Sequence, residues 1–269
     1  MEQYPINIIV FSKDRALQLD LFLRSFNTFV KFTERCNIKI LYTYSNERFK
    51  QGYEILIKDK PDNATFIKET NFKKDTIDLI DTNNPYTVFF VDDIIFKEPF
   101  EFYDQKMNLF ISDRSIACLS LRLHKNLSYC YAEARNMKKP VFDTNNIFNW
   151  TKETGDYGYP MSQDGHIFRT NEIYGFHVSL DYHAPNTLEG KLHLQRKRMP
   201  PNMICYDKSI IINNPLNRVQ FASINRCGNI SADFLNDKYL DGYRIDMIPF
   251  VGFNNIAVHT EINPTFIKT

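Results

Sequence analysis

The first hundred residues alternate two kinds of apolar pattern, and few folds accept that alternation. Ile6–Phe11 (INIIVF) is a short unbroken apolar run, as a strand buried on both faces requires. After SKDR, the stretch ALQLDLFLRSFNTFVKF carries Leu17, Leu21, Phe22, Phe26, Phe29 and Val30 at helical spacing. Asn37–Tyr44 reads as a second strand. This opening is therefore a β-α-β unit, which favours a parallel sheet and a right-handed crossover. A weak helix over 53–59, a short strand over 64–69, a helix over 71–82 closed by NNP, and a strand over 86–93 continue the series. The alternation predicts the α/β class.

The second half is less regular. SIACLSLRL (115–123) reads as a strand, HIFRT (166–170) as a short strand and NEIYGFHVSL (171–180) as a helix. The intervening 146–165, which holds Phe148, Trp150, Tyr157 and Tyr159, reads as a long loop or lid whose aromatics either stack on a ligand or fill a core. NTLEGKLHLQRKR (186–198) opens with a capping-box pattern, Asn186 or Thr187 with Glu189, and reads as a helix. A strand and turn over 208–220 follow. No repeat, low-complexity segment or linker divides the chain, so one domain over 1–269 is expected.

Ligands of open parallel sheets bind at the carboxyl ends of the strands. Three polar clusters lie at such ends: SKDR, SNER, and Asp92-Asp93 in YTVFFVDDIIF. The two aspartates end one apolar run and another resumes at once, without glycine or proline. Buried carboxylates need a cation, and oxygen donors suit Mg²⁺ or Mn²⁺, ions that bridge carboxylates to substrate phosphates. In SKDR, Lys13 and Arg15 suit an anion near a helix N-terminus. Asp14 or Ser12 is placed to cap the helix that follows, and Asp14 is also free to accept a hydrogen bond from a ligand. Tyr44 and Asn46 are further candidates for ligand contact.

This layout resembles the GT-A fold glycosyltransferases. IIVFSKDRALQLDLFLRSF is similar to their opening strand, loop and helix, and TVFFVDDIIF to the strand that carries their Asp-x-Asp motif. The resemblance covers most of residues 5–100 and, more weakly, 160–215. It implies a GT-A-like (Rossmann-like), mostly parallel sheet flanked by helices, with an elaborated C-terminal half. Residues 1–100 would then bind a nucleoside-diphosphate sugar, and 101–269, with the lid loop, a saccharide or other hydroxyl acceptor. Tyr44 and Asn46, with Asp14, would meet the base or ribose of that nucleotide. Against Asp-x-Asp the chain reads Val91-Asp92-Asp93, so the first acid is missing. The resemblance assigns Asp93 to a Mn²⁺ or Mg²⁺ ion on the diphosphate and Asp92 to the ribose or a bridging water. Metal-independent members hold the diphosphate with basic side chains. The resemblance also places Asp164 and Glu189 where a general base would take the acceptor proton. It suggests a late metal-binding histidine; Asn213 and Asn214 stand where one is expected, and His259 is the candidate.

Composition narrows the alternatives. The net charge of +1 and a single basic cluster, QRKRMPP (195–201), argue against nucleic acid. No apolar segment is long enough to span a membrane, and the N-terminus does not read as a signal peptide. Five widely spaced cysteines without a C-x-x-C fit a reducing cytosol. A sugar nucleotidyltransferase is the first competitor, although SKDRALQL lacks the Gly-rich loop such enzymes carry. A non-catalytic sugar-nucleotide or glycan-binding module is the second.

Overall fold

The computed structural model describes residues 5–220 and 226–268. Strands β1 (Ile6–Lys13), β2 (Ile38–Thr43), β3 (Ala64–Lys68) and β4 (Tyr86–Val91) pair in parallel, joined by α1 (Ala16–Phe29), α2 (Glu47–Lys58) and α3 (Phe72–Leu79). The chain then forms β5 (Ile94–Phe96), α4 (Gln105–Ser112), β6 (Ile116–His124), β7 (Tyr129–Cys130), β8 (Arg135–Asn136), β9 (Ile147–Asn149) and β10 (His166–Arg169). It ends with α5 (Thr170–Ser179), α6 (Pro185–Gln195), β11 (Asn202–Tyr206), β12 (Ile211–Asn213), α7 (Ala232–Leu240), β13 (Tyr243–Ile245) and β14 (Phe266–Lys268). The main sheet has eight strands in the order β3-β2-β1-β4-β10-β6-β11-β9. Only β10 and β9 run against the rest, so the sheet is mostly parallel, as expected.

β1 shows why an unbroken apolar run is needed. Ile8 and Val10 pack into the core on one face of the sheet, Ile9 and Phe11 into the core on the other. The period-2 alternation of a strand sends successive residues to opposite sides, and both sides are covered. β4 repeats the device, with Val88 and Phe90 on the first face and Phe89 on the second. Phe22 and Phe26 of α1 meet Phe90 and Phe96 with ring centroids 5.2–6.0 Å apart. The apolar run resumes after Asp93 because the chain leaves the sheet there. Ile94–Phe96 forms β5, which pairs antiparallel with β12 and is fully buried.

Several elements depart from the sequence reading. α2 begins at Glu47 rather than near residue 53, because Asn46 caps it by accepting from Phe49 N–H at 3.0 Å. Its apolar stripe is interrupted at Gly52, where a Cβ would lie 2.4 Å from Asn236 Oδ1. α4, β11 and α7 have no counterpart in that reading. Segment 146–165, read as a loop or lid, is built into the fold. β9 joins the main sheet, and Phe148, Trp150 and Tyr157 lie in the core. α6 starts at Pro185 with Thr187 Oγ1 accepting from Ala184 N–H at 3.0 Å. Glu189 thus completes no capping box and is left for other partners.

Candidate active site

The strand ends of β1 and β4 open into a cleft of about 620 Å³ lined by both halves of the chain. At its floor the two aspartates do different things. Asp92 is 3 % exposed and is held from all sides. Ser12 Oγ–H donates to its Oδ2 at 2.9 Å, Lys13 N–H to the same oxygen at 3.1 Å, and Arg15 Nη1–H to its Oδ1 at 2.9 Å. Ser12 also shares a 2.7 Å hydrogen bond with the Tyr53 hydroxyl, which accepts from Arg15 N–H at 3.2 Å. Asp92 therefore locks the loop between β1 and α1, a role that explains a buried acid at a strand end.

Asp93 faces the cleft. Arg15 Nη1 reaches its Oδ2 at 3.3 Å, and Asn213 Nδ2 lies 3.4 Å from its Oδ1. Burial pushes its carboxyl up to about 6; Arg15 opposes this, while Asp92 and Asp164 add to it. Arg15 is anchored further by Asn217, whose side-chain oxygen accepts from Nε at 2.8 Å and whose carbonyl accepts from Nη2. The Lys13 side chain lines the same cleft.

The opposite wall is built around Arg122, 3 % exposed near the carboxyl end of β6. Its guanidinium pairs with Asp156 Oδ1 at 2.7 Å and Asp164 Oδ2 at 3.2 Å, and donates to Ser162 Oγ at 2.7 Å. Asp164 sits on the turn before Gly165. That glycine has φ +74°, where an L side chain is strained, and a Cβ there would lie 2.2 Å from Ile211 Cδ1 and push it aside. His259 Nε2 stands 3.6 Å from Asp164 Oδ2. Burial pushes the Asp164 carboxyl up, but His259 and Arg122 outweigh it and hold the group below the usual carboxylate range. Burial likewise disfavours the His259 imidazolium, yet Asp164 more than compensates and raises it.

Glu189 has the opposite environment. Its Oε1 accepts from Ser162 Oγ–H at 2.8 Å and Gln163 N–H at 3.1 Å. Burial and the nearby Asp164 push its carboxyl up, against Arg122 and these hydrogen bonds. Of the two carboxylates expected from sequence to act on the acceptor, Asp164 is ion-paired on two sides. Glu189 is oriented through one oxygen and lies in the cleft with a raised proton affinity.

The structure brings Lys13, Arg15, Asp92, Asp93, Asp164, Glu189 and His259 to one cleft and leaves three candidates out of its lining. Asp14, at φ +56°, accepts from Ser45 N–H at 2.7 Å and ties β1 to the loop after β2. It caps no helix, and neither does Ser12: the N-cap of α1 is Arg15 and takes no side-chain bond. Asn46 is the α2 cap, and the Tyr44 ring lies under Lys68 Nζ at 3.4 Å. Asn213 is in the cleft wall, whereas Asn214 donates to the Ile262 carbonyl at 2.9 Å. Sequence reading missed Arg122, Asp156, Tyr53 and Asn217. Arg122 had a signal: a lone arginine inside the apolar run ACLSLRLH.

Among the described residues no three His, Cys, Asp or Glu side chains converge as a resident metal would require. The donor set does fit an ion that arrives on a diphosphate and keeps most of its ligands from phosphate and water. Asp93 offers a carboxylate, and the adjacent Asn213 Oδ1 is buried without a hydrogen-bond partner among the described residues. His259 pairs with Asp164 instead, and its Nδ1 is likewise unpartnered among the described residues.

No family model matches the chain. It is 33 % identical over 188 residues to the bifunctional glycosyltransferase pgtA of Dictyostelium discoideum, a match that covers 62 % of the chain. The chain spans about a quarter of that relative, 24 % of its length. Among solved structures it is similar to S. aureus TarS 1–349, with a TM-score of 0.50 at 14 % identity over 79 % of this chain and 61 % of that one. A cytidylyltransferase from Leptospira borgpetersenii gives a TM-score of 0.45 at 14 % identity over 89 % and 93 % of the two chains. With a glycosyltransferase relative in sequence, the strand order of the sheet and the cleft at its carboxyl edge, this chain has the GT-A glycosyltransferase fold.

Proposed function

We propose that this domain transfers a hexosyl or deoxyhexosyl group from a nucleoside-diphosphate sugar to the hydroxyl of a saccharide acceptor. The observation that carries the reading is the convergence in one cleft of Asp93, at the end of β4, with Glu189, at the start of α6. The first is an oxygen donor beside Arg15, in a cleft that Lys13 also lines. The second is a carboxylate with raised proton affinity and one oxygen, Oε2, free of hydrogen bonds among the described residues.

Mechanism follows from those environments. Lys13 lies where it meets a phosphate of the donor, and Arg15 holds Asp92 and Asp93 in place. A divalent ion carried on the diphosphate, Mn²⁺ or Mg²⁺, would be held by Asp93 with Asn213 and would neutralise charge on the leaving group. Glu189 Oε2 takes the proton of the acceptor hydroxyl. The acceptor oxygen then bonds to the anomeric carbon as the bond from that carbon to the phosphate oxygen breaks. The nucleoside diphosphate leaves with the electron pair, and configuration inverts. Ser162 and Gln163 fix the carboxylate plane, so the base is positioned before the acceptor arrives. The His259–Asp164–Arg122 chain keeps Asp164 ionised beside it, which raises Glu189 in turn.

Among the described residues no helix is long and apolar enough to cross a membrane. All five cysteines are free, which suits a reducing compartment, and we place the domain in the cytosol. The test is release of nucleoside diphosphate from a panel of UDP-, GDP-, CDP- and dTDP-sugars, with and without Mn²⁺. Slow release from one donor supports a transferase. Binding of a donor with no release indicates a binding module, and release of pyrophosphate from a nucleoside triphosphate and a sugar phosphate indicates a nucleotidyltransferase.

A further inference from the structure

A second cavity of about 500 Å³ adjoins the cleft, and Gly155 and Tyr159 line both. α6 connects the two. Glu189 lies in the first cavity and His193, four residues on, lines the second. Residues at this spacing share one helix face, about 6 Å apart along the axis. The Tyr159 ring stacks on His193 with centroids 4.4 Å apart and planes 21° apart. His193 Nδ1 is buried without a partner among the described residues. The arrangement is a stacked pair of rings beside the general base, whose outer face suits a saccharide ring better than an aliphatic chain.

The charge of this cavity is specific. The basic cluster of 195–198 stays outside the first cleft, and Arg196 and Lys197 line the second. Arg196 Nη1 donates to the His193 carbonyl at 2.9 Å; among the described residues neither it nor Lys197 pairs with a carboxylate. Arg135, also in the lining, is paired with Glu133. Two unopposed cations therefore face one remaining acid of the lining, Glu153.

We infer that this second cavity seats the acceptor, and that the acceptor is an anionic saccharide, carrying carboxylate or phosphate. The inference rests on the transferase reading and names the substrate class of that same site. The sugar ring lies against the outer face of the Tyr159–His193 pair, its anionic group meets Arg196 and Lys197, and the reacting hydroxyl points along α6 toward Glu189.

Trp150 makes this testable, because the chain's one tryptophan lines the second cavity. Its emission is titrated with trigalacturonic acid, neutral galactotriose, galactose 6-phosphate and galactose. At least one anionic probe is expected to change the emission and to bind about tenfold or more tighter than its neutral counterpart. Arg196→Gln with Lys197→Gln should abolish that preference; circular dichroism and the ligand-free emission check that the variant is folded. The two anionic probes distinguish carboxylate from phosphate. Equal binding of charged and neutral sugars, no response to either anionic probe, or an unchanged preference in the variant overturns the inference. Donor turnover by the unmodified protein is measured separately. Nucleoside diphosphate release with no preference for anionic sugars defeats this inference alone, whereas no release from any donor defeats the transferase reading beneath it.

Discussion

Arg122→Met is the substitution whose consequence follows most directly from the structure. The guanidinium is 3 % exposed and serves two carboxylates, Asp156 at 2.7 Å and Asp164 at 3.2 Å, with side chains 6 % and 14 % exposed. Methionine fills much of the volume but leaves both charges without their partner. Removing one member of a buried ion pair costs about 3–5 kcal/mol, largely as the penalty of the charge left behind. For a chain of this size that corresponds to a fall in Tm of roughly 6–20 °C. The assay is urea unfolding followed by circular dichroism, at pH 7.5 and again at pH 4. Asp164 is held below its ordinary value when folded, so its contribution is present above the unfolded value, near 4, and is lost as pH falls through the folded one. The gap between wild type and variant should be widest at pH 7.5 and already smaller at pH 4, because Asp164, buried and without the guanidinium in the variant, takes up a proton at higher pH than in wild type. Adding Asp156→Asn to Arg122→Met should recover about 1–2 kcal/mol by removing one orphaned charge. A loss below about 1 kcal/mol at pH 7.5, or one independent of pH, would refute the claim that Arg122 holds this wall together.

Other consequences are as direct. Glu189→Gln should lower kcat by about a hundredfold or more while leaving donor affinity within about twofold, read by turnover and calorimetry. Because the Glu189 carboxyl is raised, the wild-type rate should climb with pH through its titration, and that limb should vanish in the variant. Gly165→Ala should cost more than about 2 kcal/mol, since φ +74° is strained for alanine and the new methyl would strike Ile211; urea unfolding within about 0.5 kcal/mol of wild type would contradict this. His177 is fully buried, stacks on Phe89, and is pushed down to about 4 by burial. The unfolded chain takes up that proton first, so stability should fall as pH drops from about 6.5 toward 4, by roughly 2 kcal/mol at pH 5 for this group. His177→Phe should remove that part of the acid sensitivity, which unfolding curves at pH 7 and pH 5 will show or deny.

The legible part of the sequence was the part whose partners lie close in the chain. Ile6–Phe11 and Tyr86–Val91 read as buried strands because each residue packs on one of two covered faces, and no distant information is needed to see that. Asp92 and Asp93 were recognisable as a pair for the same reason, and their division of labour was not. Only Arg15 and Ser12, far away in sequence, decide that Asp92 is a structural anchor while Asp93 faces the cleft. Arg122 was missed because its acids lie 34 and 42 residues away. Segment 146–165 read as a loop because its aromatics follow no period, and they follow none because Phe148, Trp150 and Tyr157 pack into a core shared with distant elements, Phe148 and Tyr157 edge-on to each other. α2 was read short for the converse reason: its first turn is polar and held by a cap, which periodicity does not register.

The central claim is that Asp93 and the base on α6 serve one donor in one cleft. It is tested most directly by calorimetric titration of wild type and Asp93→Asn with the nucleotide sugar that the panel selects, with Mn²⁺ at pH 7.5 and pH 5. Asp93 is raised to about 6, so its carboxylate, and the metal-assisted part of binding, should be present at pH 7.5 and largely lost at pH 5. The account predicts at least about a tenfold weakening in Asp93→Asn at pH 7.5 and a much smaller difference at pH 5. Equal affinity of the two proteins at pH 7.5 would contradict it.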